Sequence, residues 1–317
     1  MIKTKAANLL PDPALYFPIV DDRYSTRAGL IRFGKDLGNG LQDTQLFQFD
    51  NQFTAYRDNK LKTRQQAIND FVCTDTADTT LLTKAARFML QQLCLEHNDY
   101  FSLQTTAEQN TLDCLLSGEQ LLIGNDYQLL QHNEYDYQNL FDALAMQVQE
   151  DVCLMQVHDS TTELVAAHLC AANHWSAREK LQLSMPGLHQ HVPGFANDNR
   201  EPDMLLGSIL NKATPYTRFA WGLAEHAILN QHPQHVSPVS HSASDKLFMR
   251  IERQVIWPIQ GTPLILFTIR TYFRDCADLG FSQLSSLINA IQHMDTDTLQ
   301  YKRLDQKKVL KTLTGLR

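Results

Sequence analysis

The stretch LFMRIERQVIWPIQGTPLILFTIRTYF, residues 247–273, decides the fold. Two runs rich in β-branched and aromatic residues, 247–257 and 264–273, flank a turn that holds Gly261 and Pro263, which is the pattern of a β-hairpin. Arg250, Glu252 and Gln254 alternate along the first run, and Thr268, Arg270 and Tyr272 along the second. Centring the turn on Gly261 sets Glu252 opposite Arg270, so one surface is expected to carry an acid, two arginines, an amide and a phenol. Met249, Ile251, Val255, Phe267 and Ile269 make the other surface apolar. A solvated face with Glu252 paired across the strands explains that pattern simply, whereas the flanking Phe248 and Tyr272 point to an enclosed site.

Alternation also marks 152–157, 163–170 and 218–223 as strands, about five in all, with one helix inserted. Ser176 and Glu179 have the capping-box spacing that starts that helix, which is expected to run to about Ser184 and stop before Pro186 and Gly187. Upstream, Leu81, Leu82, Ala85, Phe88, Met89 and Leu93 recur at helical spacing across 79–97. Shorter patterns at 107–116 and 137–148 extend the helical reading, which makes the first half mainly helical. Before them, Pro11, Pro13, Pro18 and four glycines interrupt an irregular segment with one or two short strands, one at 46–50. The region 281–294 reads as a helix on the sheet, a lysine-bearing helix closes the chain, and 232–241 reads as a mobile loop. The class is α+β: a segment and helical region at 1–150, a sheet core at 151–280, and packing helices at 281–317.

At 317 residues the chain can bury a sizeable core, as one large domain with a helical subdomain or as two domains sharing a core. A net charge of −7 with 20% charged residues lacks the basic excess of nucleic-acid binders. No long apolar run or amino-terminal apolar region suggests a membrane span or secretion signal. Six cysteines without a CxxC pair fit a reducing cytoplasm.

The chemistry-bearing candidates are His189 and His191, on a short loop just after the capped helix. A zinc site could add His174, but there is no HExxH and no paired cysteine spacing. Haem requires only one protein nitrogen, with arginines for its propionates and apolar walls for the ring. No GxSxG, Walker loop or GxGxxG after a strand is present, and the glycine-rich 34–40 reads as a turn.

Ordered motifs then carry a resemblance. They are Trp175, Glu179-Lys180, Leu188-His189-x-His191-Val192-Pro193-Gly194, Arg218-x-x-Trp221, Arg250-Ile251-Glu252-Arg253-Gln254 and Phe267-Thr268-Ile269-Arg270-Thr271-Tyr272. In this order the chain resembles the α-subunit family of haem-dependent oxidative N-demethylase, and Phe17-Pro18 and Gly29-Leu30 extend the likeness over about 15–280. The resemblance implies a PAS-like antiparallel sheet of about five strands with flanking helices, binding haem b through a loop histidine. It implies O2 activation and oxidation of a small secondary amine to an aldehyde equivalent and a primary amine. Electrons would come from a separate flavin and iron–sulfur reductase, and a folate-binding component could capture the formaldehyde.

Carried onto this chain, the resemblance makes His189 the expected iron ligand. His191 is the alternative, because it stands where the family has a proline and so removes a φ restraint while adding an imidazole. Glu252 is the expected partner of the ammonium group. Arg218, Arg270 and Trp221 are expected around the haem, with the arginines on its propionates or holding Glu252 charged. Asn173, His174 and Tyr272 are expected in the substrate pocket. The alternatives are a PAS-like haem sensor or gas-binding module, and a structural protein that has lost its cofactor; the short tail beyond Met294 favours the enzyme over the sensor.

Overall fold

A computed structural model describes residues 10–132, 135–198, 201–235 and 246–317. Of the expected loop at 232–241, the part from 236 onward lies outside the described residues, as do residues 1–9. The hairpin at 247–273 forms β10, Phe248–Ile259, and β11, Leu264–Asp275. These strands are the centre of a seven-stranded antiparallel sheet in the order β1-β9-β10-β11-β7-β8-β2. Its other members are β1 (Ile31–Arg32), β2 (Val72–Cys73), β7 (Asp151–His158), β8 (Thr161–His168) and β9 (Tyr216–Ala224). The five long strands are the five that alternation marks. The edge strands β1 and β2 have two residues each, too few to leave a readable period.

The hairpin register departs from expectation by one residue. Glu252 stands opposite Thr271, and Arg253 stands opposite Arg270. Four residues, Gln260 to Pro263, connect Ile259 to its partner Leu264, so the turn centres between Gly261 and Thr262 rather than on Gly261. Gly261 supplies the left-handed φ of +72° that the turn needs. Because side chains alternate with period two, this shift moves Arg270 and Tyr272 to the face away from Glu252.

A second sheet overturns the mainly helical reading of the first half. Strands β3 (Phe101–Thr105), β4 (Gln109–Cys114), β5 (Glu119–Gly124) and β6 (Leu129–His132) form an antiparallel meander. The pattern at 107–116, expected as a helix, is therefore a strand, with Leu112 and Cys114 buried and Leu115 exposed. Pairing with β3 and β5 on both sides outweighs a weak local helical pattern. Helices α1 (Phe53–Phe71) and α2 (Thr79–Glu96) precede this sheet, and α2 starts where Asp78 accepts from the Leu81 N–H. The expected helix at 137–148 contracts to α3, Leu140–Ala145. Residues 46–50, expected as a strand, pair with neither sheet.

Among the described residues, four short or medium helices, rather than one, separate β8 from β9. They are α4 (Ala177–Lys180), α5 (Met185–Leu188), α6 (Phe195–Asp198) and α7 (Pro202–Lys212). Ser176 caps α4 as expected, accepting from the Glu179 N–H, but the helix ends at Lys180 because Leu181 is extended and Gln182 has φ +65°. Ser184 caps α5 in turn, with Pro186 in its first turn. The chain closes with α8 (Phe281–Gln292), α9 (Thr296–Tyr301) and the lysine-bearing α10 (Gln306–Gly315).

Burial divides into layers. One face of the large sheet, carrying Val255, Leu264, Leu266 and Leu154, packs on α2, α3 and the small sheet through Phe141, Met89 and Leu93. The same face farther along, through Met249 and Ile251, packs on α8 and α10 through Leu287, Ile291 and Leu313. The opposite face, with Cys153, Met155, Ile265 and Ile269, packs on α7 through Leu206 and Ile209. That opposite face also carries Arg250, Glu252 and Gln254, and the short helices bridge it incompletely.

Candidate functional site

The gap between this face and α4–α7 is a cavity of about 580 Å³. Its floor is the sheet, with Arg218 from β9, Arg250, Glu252 and Gln254 from β10, and Phe267 and Ile269 from β11. Its roof includes Met185, Leu188, His189, Val192 and Phe195. Apolar walls with a few convergent polar groups, at this volume, suit a cofactor with a small ligand beside it.

His189 follows α5 directly, and the capped turn sets its direction. Its Nδ1 lies 3.0 Å from the Met185 carbonyl oxygen. A carbonyl can only accept, so Nδ1 carries the proton and the lone pair sits on Nε2. The ring stacks on Phe195 at a centroid distance of 4.4 Å and an interplanar angle of 9°. Burial pushes its pKa down to about 4, with Arg218 and Lys180 adding to the effect against the Met185 hydrogen bond. The imidazole is thus neutral at pH 7 and able to bind a metal. His191 lines the same cavity but is exposed, and its Nε2 lies 3.2 Å from the Gln190 amide nitrogen.

Glu252 is enclosed by donors. Its Oε1 is 3.6 Å from Arg250 Nε, and its Oε2 accepts from Gln254 Nε2 at 3.0 Å. Gln254 Oε1 accepts from Arg218 Nη1 at 2.6 Å, so Arg218 reaches Glu252 through the amide. Arg250 also donates to the Ala171, Leu229 and Ile228 carbonyls at 2.5, 3.1 and 3.2 Å, which anchors it beneath the carboxylate. Burial lowers the pKa of both arginines, and Glu252 works against that shift.

Asn173 and His174 line the cavity, and a bridge joins Asn173 to Gln231. His174 has a left-handed φ of +61°, and burial, then Arg303 and Arg250, lower its pKa to about 4. Trp221 contributes to the wall, but its register with Ile251 turns the indole to the other face, against Tyr24 at 5.6 Å. Arg270 and Tyr272 are absent from the cavity wall, contrary to the placement that the hairpin pattern suggested. Arg270 is buried against Asp50, with its guanidinium 3.8 Å from the centre of the Tyr56 ring and 4.8 Å from that of Tyr272. Tyr272 donates to Gln48 Oε1 in the same interior network.

Three residues that sequence reasoning missed come from beyond β11. Tyr301, Lys302 and Arg303, where α9 ends, line the cavity, Tyr301 and Lys302 within reach of the Glu252 charge and Arg303 within reach of His174. Lys302 Nζ donates to the Trp221 carbonyl at 2.8 Å and lies 4.4 Å over Tyr24. Burial lowers its pKa to about 8, opposed by Glu252. No local pattern marks these residues, because a surface helix end with a lysine and an arginine is commonplace.

A second titratable group lies away from the cavity floor. Ligand atoms of Asp151, His168 and Cys170 fall within 4.8 Å of one another, all buried. Both Asp151 oxygens accept backbone N–H groups, from Cys170 at 2.7 Å and Ala171 at 2.8 Å. Burial and the Asp151 charge push the Cys170 thiol up to about 12, while the Lys60 charge acts against them. A protonated thiol, a satisfied carboxylate and a neighbouring ammonium make this group structural.

The sequence model of a family described as haem-dependent oxidative N-demethylase, alpha subunit-like, matches residues 39–310. No curated protein matches the chain. No helix among the described residues is long and apolar enough to cross a membrane.

Proposed function

The chain belongs to the haem-dependent oxidative N-demethylase alpha-subunit-like family, and from that membership we propose that it is the haem-bearing oxygenase subunit of an amine-oxidising system. The observation that carries the reading is His189: one ring nitrogen committed to Met185, a ring held flat on Phe195, and a neutral Nε2 at the wall of the cavity. This donor set fits a haem, whose axial ligation takes one imidazole.

His189 would hold the iron, and Arg218 and Lys180, the cations felt by that imidazole, would receive the propionates. Bound haem would supply O2 activation, with electrons from a flavin and iron–sulfur partner. Glu252 would bind the ammonium form of a small secondary amine, with Gln254 and Arg250 fixing the carboxylate's orientation. The roof residues Leu188, Val192 and Phe195 would exclude water from the oxidised N-methyl group.

The test is haem titration followed by amine titration, read from the Soret band. His189→Ala is expected to lose stoichiometric haem binding, and His191→Ala to keep it. Glu252→Gln is expected to retain haem and lose the band shift with amine. Full haem retention in His189→Ala ends the ligand assignment, and an unchanged amine shift in Glu252→Gln ends the carboxylate's role. A haem band that no amine moves favours a sensor.

A further inference from the structure

The charges around the cavity are lopsided. Its wall carries five cations, Lys180, Arg218, Arg250, Lys302 and Arg303, against two carboxylates, Glu179 and Glu252. Four of the cations have partners. Lys180 donates to the Leu188 carbonyl, Arg218 to Gln254 and Ala28, Arg250 to three carbonyls beside Glu252, and Lys302 to the Trp221 carbonyl. The Arg303 guanidinium makes no hydrogen bond or ion pair with any other described residue, and only its backbone N–H is bonded, to the Gln300 carbonyl at 3.0 Å; the residue lines the cavity and its charge is felt by His174.

The five cations fall into two sets. Lys180 and Arg218 are felt by His189, and Arg218 also reaches Glu252 through Gln254. Arg250 and Lys302 are felt by or touch Glu252, and Arg303 follows Lys302 in the chain. Two propionates would balance the first set. Glu252 already faces Arg250 and Lys302, with Arg218 behind Gln254, so a bare dialkylammonium adds a further cation where one carboxylate must serve all of them. An amine that brings its own negative charge avoids that repulsion and gives Arg303 a partner.

We propose, resting on the amine-oxidation reading above, that the substrate is a secondary amine carrying a carboxylate, of the N-methyl amino acid class. Its ammonium faces Glu252 and its carboxylate is received by Arg303, with Lys302 beside it. Arg303 and Lys302 are then specificity residues: they choose among amines and play no part in holding the iron. A guanidinium is suited to this task, because its planar donors match a carboxylate in pairs.

The experiment uses the haem-loaded protein, with N-methylglycine and dimethylamine titrated separately and binding read both from the Soret band and by calorimetry. The wild type is expected to bind N-methylglycine at least about tenfold more tightly than dimethylamine, the scale of one charge-assisted hydrogen bond. Arg303→Gln, at an exposed position, is expected to erase that preference by weakening N-methylglycine binding at least about tenfold, while haem stoichiometry is retained and dimethylamine binds no more weakly than to the wild type. Equal or tighter binding of dimethylamine by the wild type overturns the inference and leaves the amine reading standing. So does a preference for N-methylglycine that survives Arg303→Gln. A protein that takes up no haem, or that binds neither amine, overturns both.

Discussion

Arg270 Nη2 and Asp50 Oδ2 meet at 2.6 Å, with both side chains buried, on the sheet face turned away from the cavity. Asp50 also accepts from Gln149 Nε2 at 2.9 Å, so one carboxylate ties the irregular segment before α1 to β11 and to the segment before β7. Arg270 is therefore an internal fastener.

Asp50→Ala strands a buried guanidinium between Tyr56 and Tyr272, and a loss of about 3–5 kcal/mol in unfolding free energy is expected. Urea titration checks it. A loss below about 1 kcal/mol would mean that Arg270 finds water or another partner, against its burial.

Phe195→Ala removes the surface on which the His189 ring lies. Haem affinity is expected to fall while the unfolding free energy changes by less than about 1 kcal/mol, because the residue is only partly buried. Ser184→Ala, which removes the cap of α5, is expected to cost about 1 kcal/mol and weaken haem binding as well. Unchanged haem affinity in both variants would separate His189's function from the turn that carries it.

His168 connects stability to pH. It is wholly buried, 3.4 Å from Asp142, whose counter-ion is Arg64 at 2.5 Å; burial lowers the imidazole pKa to about 4. The unfolded chain takes up this proton below about 6.5 and the folded chain only near 4, so stability is lost as pH falls through that window. His168→Gln is expected to flatten the slope of unfolding free energy between pH 6.5 and 4, by a few kcal/mol at most. Parallel slopes in the two proteins would mean that His168 is protonated in the fold.

Leu112 and Leu115 distinguish strand from helix at 107–116. Leu112 is fully buried in β4 and Leu115 is 44% exposed. Leu112→Ala is expected to cost about 2–5 kcal/mol and Leu115→Ala less than about 0.5 kcal/mol. Equal costs would restore a helical face.

Strong local periodicity was legible. Helix α2, the five long strands, the Ser176 cap and α8 follow from apolar spacing and capping chemistry, each contained within one element. His189, His191, Glu252, Arg218, Asn173 and His174 could be named from motifs, and the fold brings them to one cavity. Strand β4 was not legible, because its identity depends on β3 and β5 beside it. Arg270 and Tyr272 were placed on the wrong face by a one-residue choice of turn centre.

By itself, then, the sequence determined which segments alternate, where helices begin, and which imidazole, guanidinium and carboxylate side chains stand in ordered motifs, since those properties belong to neighbouring residues. Tertiary structure alone decided the hairpin register, the burial of Arg270 against Asp50, and the arrival of Lys302 beside Glu252 and of Arg303 at the same cavity wall. Those outcomes depend on contacts between residues far apart in the chain, where a shift of one position reverses a face and a helix end can close a distant pocket.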